Sequence, residues 1–516
     1  MPLHLAYFFN CCAIGKVTTC IYGNLGEAEE PIGEYVMTTG SNNAVNRRTM
    51  LRQTGAAAAA GAAGCTADSA GTGEQPNILF IFSDQQRWDA VNCYGSPLVE
   101  NLTPNLDAMA AEGIRFENAF TCQPVCGPAR SCLQTGKYAT ETGCYRNAIA
   151  LPTDETTIAH RLSGAGYEVG YIGKWHLATT REQFNHETGV IPPEHRGGYK
   201  DFWLASDILE FTSHGYGGYM HDGDGNRREW GEDRYRADAL TDWTLDYLRT
   251  RKGDRPFFLF LSYVEPHHQN DRQHFEGPHG SDKRFQYYRI PDDLTGTQGD
   301  WRPEMADYLG CCHAVDANVG RIRAELETLG LADNTVVIYT TDHGCHFRTR
   351  NSEYKRTCHD NAVRVPMIIR GPGFLGGRVV DNMASLIDLP PTVLHAGGVD
   401  VPDSMRGRPL QQAVDGGGTD WPDDVFIQIS ESHVGRAVRT KNWKYAVRAP
   451  GKSGGRDPDA VEYEEAYLYN LKTDPHERTN LVRDPETAKV RADLRDRLLR
   501  HMTAIGEPTP VISPLI

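Results

Sequence analysis

Asn77-Ile-Leu-Phe-Ile-Phe-Ser83 is an unbroken apolar run that stops at Asp84. A strand with one solvated face alternates apolar and polar residues. A strand without that alternation is buried on both faces, as in a parallel sheet covered by helices. The same pattern returns over 257–263 and over 335–341, which stops at Asp342, and in shorter form over 169–173 and 365–370. Between these runs the sequence reads as helix. Thr103-Pro104 opens one that Gly113 closes, 156–165 is a second, and 305–329 is a long amphipathic third. Apolar strands alternating with helices predict an α/β fold, a large and mostly parallel sheet sandwiched by helices. Ligands of such sheets bind beyond the carboxyl ends of the strands, where Asp84, Lys174, His267 and Asp342 fall.

The pattern changes near residue 410. Residues 425–430, 436–447 and 466–471 alternate apolar and polar, and 488–502 reads as helix. This predicts a small antiparallel sheet with a terminal helix over 411–516, beside a main domain over 77–410. The polar stretch 268–289 has little periodicity and is long for a loop, so it is expected to overhang the site. Upstream, Arg47, Arg48 and Arg52 precede an Ala/Gly run that closes on Cys65. That is the layout of an export signal over 45–65, of twin-arginine type, with a lipoprotein processing site and lipid anchor at Cys65. A flexible polar linker over 66–76 follows. Export signals stand where translation starts, so 1–44 is read as a non-structural extension and the true start as near Val45 or Met50. The expected location is the periplasm or cell surface.

Composition narrows the function. The 516 residues are 39% hydrophobic and 23% charged, which supports a sizeable core and excludes a disordered chain. No apolar stretch approaches the roughly twenty residues that cross a bilayer. A net charge of −15 gives no field to attract nucleic acid, so an anionic substrate needs a local cluster of cations. The 13 cysteines show no repeated Cys-x-x-Cys zinc pairs.

The chemistry is concentrated in Cys126-Gly-Pro-Ala-Arg-Ser-Cys-Leu-Gln-Thr-Gly136. Pro128 suits the first turn of a helix, which places Cys126 at an N-terminus whose N–H groups and dipole favour an anion. Arg130, one turn on, can aim its donors back at the same spot. The run resembles the type I sulfatase signature, Cys-x-Pro-x-Arg followed by Thr-Gly at the same spacing, in the alkaline-phosphatase-like superfamily. The resemblance covers roughly 76–516. It implies that a formylglycine-generating enzyme oxidises Cys126 to formylglycine, whose hydrate is the nucleophile. It also implies a divalent cation, usually calcium with magnesium as the other hard-ligand choice, held by Asp84, Gln85, Asp342 and His343 together with the residue at 126. Gln85 departs from the second aspartate of many relatives.

Further matches follow the same resemblance. Lys174 and His176 in Tyr171-Ile-Gly-Lys-Trp-His-Leu177 are then a sulfate ligand and a hydrogen-bond partner of the formylglycine hydroxyl. His267 in Glu265-Pro-His-His268 is the sulfate ligand and acid for the leaving oxygen, with His268 the alternative after a one-residue slip. Lys355, thirteen residues after Asp342, is the last sulfate-binding lysine. The family's Gly-x-His-Gly stretch is replaced here by 345–354, which puts His346, Arg348 and Arg350 where they could read a substrate's outer groups. Cys345 and Cys358 flank that segment and could pair in an oxidising compartment.

The resulting expectation is an arylsulfatase-like sulfuric ester hydrolase. Formylglycine 126, aided by Arg130, attacks sulfur, Lys174, His267 and Lys355 neutralise charge, and a covalent sulfate then eliminates. The expected substrate is a sulfated carbohydrate or an aryl sulfate. The alternatives are a phosphate or phosphonate monoester hydrolase of the same superfamily and a non-catalytic surface lipoprotein that binds sulfated glycans.

Overall fold

The computed structural model describes residues 75–95, 97–180, 187–416 and 420–515. The export signal, Cys65 and nearly all of the linker lie outside the described residues. Ten strands build the main sheet: β1 (Asn77–Ser83), β2 (Ile114–Phe120), β3 (Glu168–Lys174), β4 (Phe202–Ser206), β5 (Tyr216–Asp222), β6 (Arg227–Tyr235), β7 (Phe257–Ser262), β8 (Thr335–Thr341), β9 (Met367–Arg370) and β10 (Arg378–Ser385). Their order is β10-β2-β9-β8-β1-β7-β3-β4-β5-β6. The five strands from β8 to β4 are parallel. On one side of them, β9 runs antiparallel to both β8 and β2, and on the other the β5–β6 hairpin adds antiparallel to β4.

All seven residues of β1 are buried, as an unalternating run requires. Successive side chains serve opposite layers. Leu79 and Ile81 pack with Leu106, Leu240, Val319 and Ile322, from the helices Pro104–Glu112, Arg236–Thr250 and Trp301–Thr328. Ile78, Phe80 and Phe82 pack with Leu133, Leu162 and Val393, from Cys126–Thr135, Ile158–Gly164 and Leu389–Ala396. On that second face an aromatic ladder crosses four strands in register: Phe80, Phe260, Tyr171 and Trp203. Phe80 and Phe260 stack at 4.6 Å, Tyr171 and Phe260 at 5.1 Å, and Tyr171 and Trp203 at 5.5 Å. The ladder fixes the strand ends that carry the site.

A second sheet joins β11 (Asp424–Ile429), β12 (Gly435–Thr440), β13 (Trp443–Arg448), β14 (Glu462–Asn470) and β15 (Val511–Ser513). Its pairs are antiparallel except β14–β15. The stretch 436–447, read as one strand, is two strands turned at Lys441-Asn442, and the terminal helix is Ala488–Ala504. The segment 268–289 does not simply overhang. A bridge joins Gln269 to His274, and Phe275 and Phe285 are buried in a core with Trp301, Tyr308 and Phe347. Among the described residues no helix is long and apolar enough to cross a membrane.

Candidate active site

Neighbouring strands deliver the first carboxylates together. Ser83 of β1 is in register with Thr341 of β8, so Asp84 and Asp342 leave the sheet side by side. Asp342 Oδ1 accepts the backbone N–H of Gln85 at 3.0 Å and of His343 at 2.9 Å. The loop after β2 brings in Cys126 as the first residue of the helix Cys126–Thr135, which is buried along its whole length. Gly136 ends that helix at φ 72°, and a Cβ there would meet Met405 at 2.5 Å, so glycine is required twice over. Cys126 Sγ lies 2.9 Å from Lys355 Nζ, 3.3 Å from His343 Nε2 and 3.5 Å from Asp84 Oδ1. His267, just past β7, sets Nε2 3.2 Å from Lys355 Nζ. His268 turns away: its ring stacks on Tyr354 at 4.4 Å and its Nδ1 bonds Asn270.

Arg130 and Lys174 lie behind this group. Arg130 donates to Asp84 Oδ2 at 3.0 Å, to the Lys174 carbonyl at 2.9 Å and to Ser262 Oγ at 2.7 Å. Its fork therefore braces β1, β3 and β7 and makes no hydrogen bond to Cys126. Lys174 Nζ, fully buried, is shared between Asp84 Oδ2 at 2.9 Å and Glu210 Oε1 at 2.8 Å. His176, beyond the end of β3, lines the cleft with Nδ1 unpartnered.

Charge here is unevenly balanced. Burial alone pushes the Asp84 carboxyl up, but Lys174, His267 and Lys355 hold it well below the usual carboxylate range. Asp342 is instead pushed up to about 7, first by burial and then by Asp84 beside it. Burial also opposes ionisation of Cys126, yet Lys355, Lys174 and His343 hold its thiol well below the usual range. Burial and Lys355 lower His267. Asp84, Cys126, Asp342 and His343 each place a ligand atom within 4.8 Å of the others. Asp342 Oδ2 is buried without a hydrogen bond. Two crowded carboxylates, one with an oxygen that makes no hydrogen bond and has only Arg130 at 3.9 Å, are the donor set a divalent cation fits. Gln85 lines the same cleft but gives its amide Nε2 to Cys345 Sγ at 3.6 Å.

Comparison with known proteins bears on what this group does. Residues 76–399 match the Sulfatase family model, and 352–504 match that of the N-sulphoglucosamine sulphohydrolase C-terminal region. The chain belongs to the sulfatase family. A Formosa agariphila ulvan-active sulfatase is 28% identical over 84% of this chain and 82% of its own. A Bacteroides thetaiotaomicron N-acetylglucosamine-6-O-sulfatase is 26% identical over 82% and 86%. The crystal structure of a putative sulfatase, yidJ, from Bacteroides fragilis superposes with a TM-score of 0.73 at 25% identity, over 84% of this chain and 97% of its own. Family membership makes the protein a sulfuric ester hydrolase.

The cleft of this sulfatase, about 370 Å³, has Cys126, His176, His267, Lys355 and Gln85 in its lining. Asn147, Glu210, Arg356 and Glu431 also line it and lie outside any motif. Asn147 Oδ1 accepts the Gly127 N–H at 2.9 Å, at the start of the Cys126 helix, and its own N–H donates to Glu431 Oε1 at 2.7 Å. Five of the ten described non-glycine residues with positive φ line this one cleft: Gln85, Ala148, His176, Arg356 and Glu431. Backbone held in the left-handed region costs energy and persists where the surroundings over-determine it, as they do at functional sites.

His346, Arg348 and Arg350 of the altered segment do not line the cleft. Arg350 donates to the carbonyls of His476 and Glu477, Arg348 lies over Tyr354 and pairs with Asp300, and buried His346 faces the Lys355 carbonyl. They hold the loop that carries Lys355 rather than reading a substrate. Cys345 and Cys358 are both buried and unpaired, in different parts of the core.

Proposed function

We propose that this sulfatase hydrolyses a sulfate ester on a carbohydrate, with Cys126 matured to formylglycine as the nucleophile and calcium as the cation. The carrying observation is the convergence of Lys355, His343 and Asp84 on Cys126 Sγ at the head of a buried helix. A chain of net charge −15 thereby presents a local cationic site to an anion. Formylglycine supplies a hydroxyl nucleophile at this position, and calcium, on Asp84, Asp342, His343 and Gln85, supplies positive charge to the sulfate oxygens.

The chain's own groups do the rest. Lys355 directs its ammonium at the reacting position, where negative charge develops on the sulfate. Because Lys355 Nζ donates to His267 Nε2, the proton of His267 sits on Nδ1, which is buried without a partner. Nε2 is the nitrogen that faces the reacting position, near Lys355 Nζ and 4.0 Å from Asp84 Oδ1. His267 therefore serves the departing oxygen when the proton stands on Nε2 and Lys355 has turned to the sulfate. His176, which lines the same cleft, is the proposed hydrogen-bond partner of the nucleophile's hydroxyl. Lys174 stays behind the site, holding Asp84 in place and adding charge. Arg130 acts as a positioning residue through Asp84 and the ends of β3 and β7.

The sugar-sulfatase names of the two curated relatives support a carbohydrate over a small metabolite. The reading also places 77–410 as the catalytic domain and 411–516 as a subdomain that lends Glu431 to the cleft. Export through 45–65, with lipidation at Cys65, would bring the enzyme to polymeric substrates outside the cytoplasm.

The test is protein made with a formylglycine-generating enzyme. Mass spectrometry of the Cys126 peptide should show a loss of about 18 Da, the thiol-to-aldehyde change that equips the nucleophile. The same sample should hydrolyse p-nitrophenyl sulfate faster than an aryl phosphonate and release sulfate from at least one sulfated sugar. Full conversion with preferential phosphonate cleavage would move the enzyme to the phosphonate hydrolases. Thiol alone, beside a converted control sulfatase, would point to a binding protein.

A further inference from the structure

Beyond the sulfate site, the cleft has a rim of unusual charge for a protein that binds anions. Arg356 lines the cleft, and two carboxylates claim it. Its guanidinium pairs with Glu353 and, at 2.5 Å, with Glu431 Oε2. Glu431 Oε1 is anchored in turn by the Asn147 N–H. Two carboxylates against one guanidinium leave the Glu353–Arg356–Glu431 group with excess negative charge, and both Arg356 Nη atoms are taken by them. Deeper in, Glu210 lines the cleft with Oε2 buried and without a hydrogen-bond partner. It is an acceptor awaiting a donor. The next residue, Phe211, is 51% exposed and also lines the cleft.

These features suit one kind of leaving group. Hydroxyl or acetamido N–H groups can donate to Glu210 Oε2 and to the rim carboxylates, and the apolar face of a sugar ring can lie on Phe211. A second sulfate or a uronate carboxylate would find like charge at Glu353 and Glu431, and Arg356 between them is already paired with both. We propose that this enzyme selects a sulfated but otherwise uncharged sugar, discriminating by charge at the rim Glu353–Arg356–Glu431 against substrates whose leaving sugar carries a second anion. This rests on the sulfatase reading above and deepens it.

The test uses the full-length mature enzyme and a matched panel. Methyl hexosides and methyl N-acetylhexosaminides carrying one sulfate are compared with the same glycosides carrying a second sulfate or a C6 carboxylate, and released sulfate is measured. The singly charged member should have the higher kcat/KM by about tenfold, the scale of one or two like-charge contacts about 4 Å apart in a water-like medium, as at a solvated cleft mouth. The preference should shrink as salt is raised from about 0.02 to 0.5 M, because screening shortens the reach of the rim charges. Glu353→Gln and Glu431→Gln should each reduce the ratio of the two kcat/KM values, by about threefold or more. The ratio is read within each variant, so a general loss of activity does not imitate the effect.

Equal or better turnover of the doubly charged glycosides overturns charge selection, and so does a ratio that neither variant nor salt moves. If wild-type enzyme with converted Cys126 also fails on p-nitrophenyl sulfate, the sulfatase reading itself fails and takes this one with it. Activity on the aryl sulfate with a preference for dianionic sugars removes only the rim's role.

Discussion

Lys355 crosses 229 residues of chain to set its ammonium 2.9 Å from Cys126 Sγ. No other described cation is placed so close to that atom, and Lys355 also fixes the proton position on His267. Removing a donor aimed at developing charge in a buried site typically lowers kcat by about 10²–10³-fold. Lys355→Ala should therefore cost about that much on p-nitrophenyl sulfate while the thermal unfolding profile remains cooperative. Steady-state kinetics beside calorimetry checks it. A loss below fivefold would remove Lys355 from the reaction.

Asp342 Oδ2 has no hydrogen bond although it is buried beside Asp84, and a cation resolves that conflict. Ligand binding to the folded state alone adds about 2.7 kcal/mol of stability at a hundredfold excess over Kd. Treatment with EDTA should therefore lower Tm, and calcium should restore it. Magnesium should restore less, because it demands stricter geometry and sheds water reluctantly. In Asp342→Asn the response to chelator and calcium should be largely lost. A Tm indifferent to both in the wild type would count against a resident ion.

The parts of this protein that could be read from sequence are those whose cause is local. An apolar run such as Asn77–Ser83 states its own burial, and Cys126–Gly136 carries its helix start, brace and glycine stop within eleven residues. The β5–β6 hairpin was not legible because β6 is mostly exposed and charged, with only Trp230 and Tyr235 buried. Strand β2 escaped because its outer half alternates around Arg115 and Glu117. Asn147, Glu210, Arg356 and Glu431 escaped for another reason. Each matters through a partner far away in sequence, as in the Asn147–Glu431 bond across 284 residues, and no spacing records that. Arg348 and Arg350 show the converse, since closeness in sequence to Lys355 did not bring them to the cleft.

Glu210 and Lys174 form a buried pair at 2.8 Å, with a pH signature. Burial pushes Glu210 up, but Lys174, His267 and His176 outweigh it and bring its carboxyl from the usual 4.5 down to about 2. A carboxylate depressed in the folded state contributes stability that is fully present above its unfolded value. That contribution fades as pH falls from about 4.5 towards 2. Glu210→Gln should thus be destabilised most at neutral pH, by about 3 kcal/mol if Lys174 keeps only Asp84. The gap to wild type should narrow below pH 4.5, the usual value for this group. Urea unfolding at several pH values measures it, and a gap constant with pH would mean that Glu210 is not ionised in the fold.

Glu507 ties the second sheet to the loop that carries the nucleophile. It accepts from Arg436 Nε at 2.9 and 3.0 Å and from Arg436 Nη2 at 2.7 Å, from Gln428 Nε2 at 2.9 Å, and from Thr140 Oγ1 of the main domain at 3.2 Å. Gln428 also donates its backbone N–H to the Cys122 carbonyl at 2.8 Å, four residues before Cys126. Removing one member of a buried ion pair strands the other, at a cost of about 3–5 kcal/mol. Glu507→Ala should lose that much and should also lower kcat, because the strand carrying Gln428 is released from the Cys126 loop. Arg436→Met in the Glu507→Ala background should recover much of the stability, since no charge is then left buried. It should not recover kcat, because the Glu507 carboxylate that gathers Gln428 and Thr140 is still missing and only the Gln428–Thr140 bond at 2.7 Å remains. A double-mutant cycle read by both unfolding and kinetics separates the two effects. If stability and kcat return together, the pair serves only to hold the sheet.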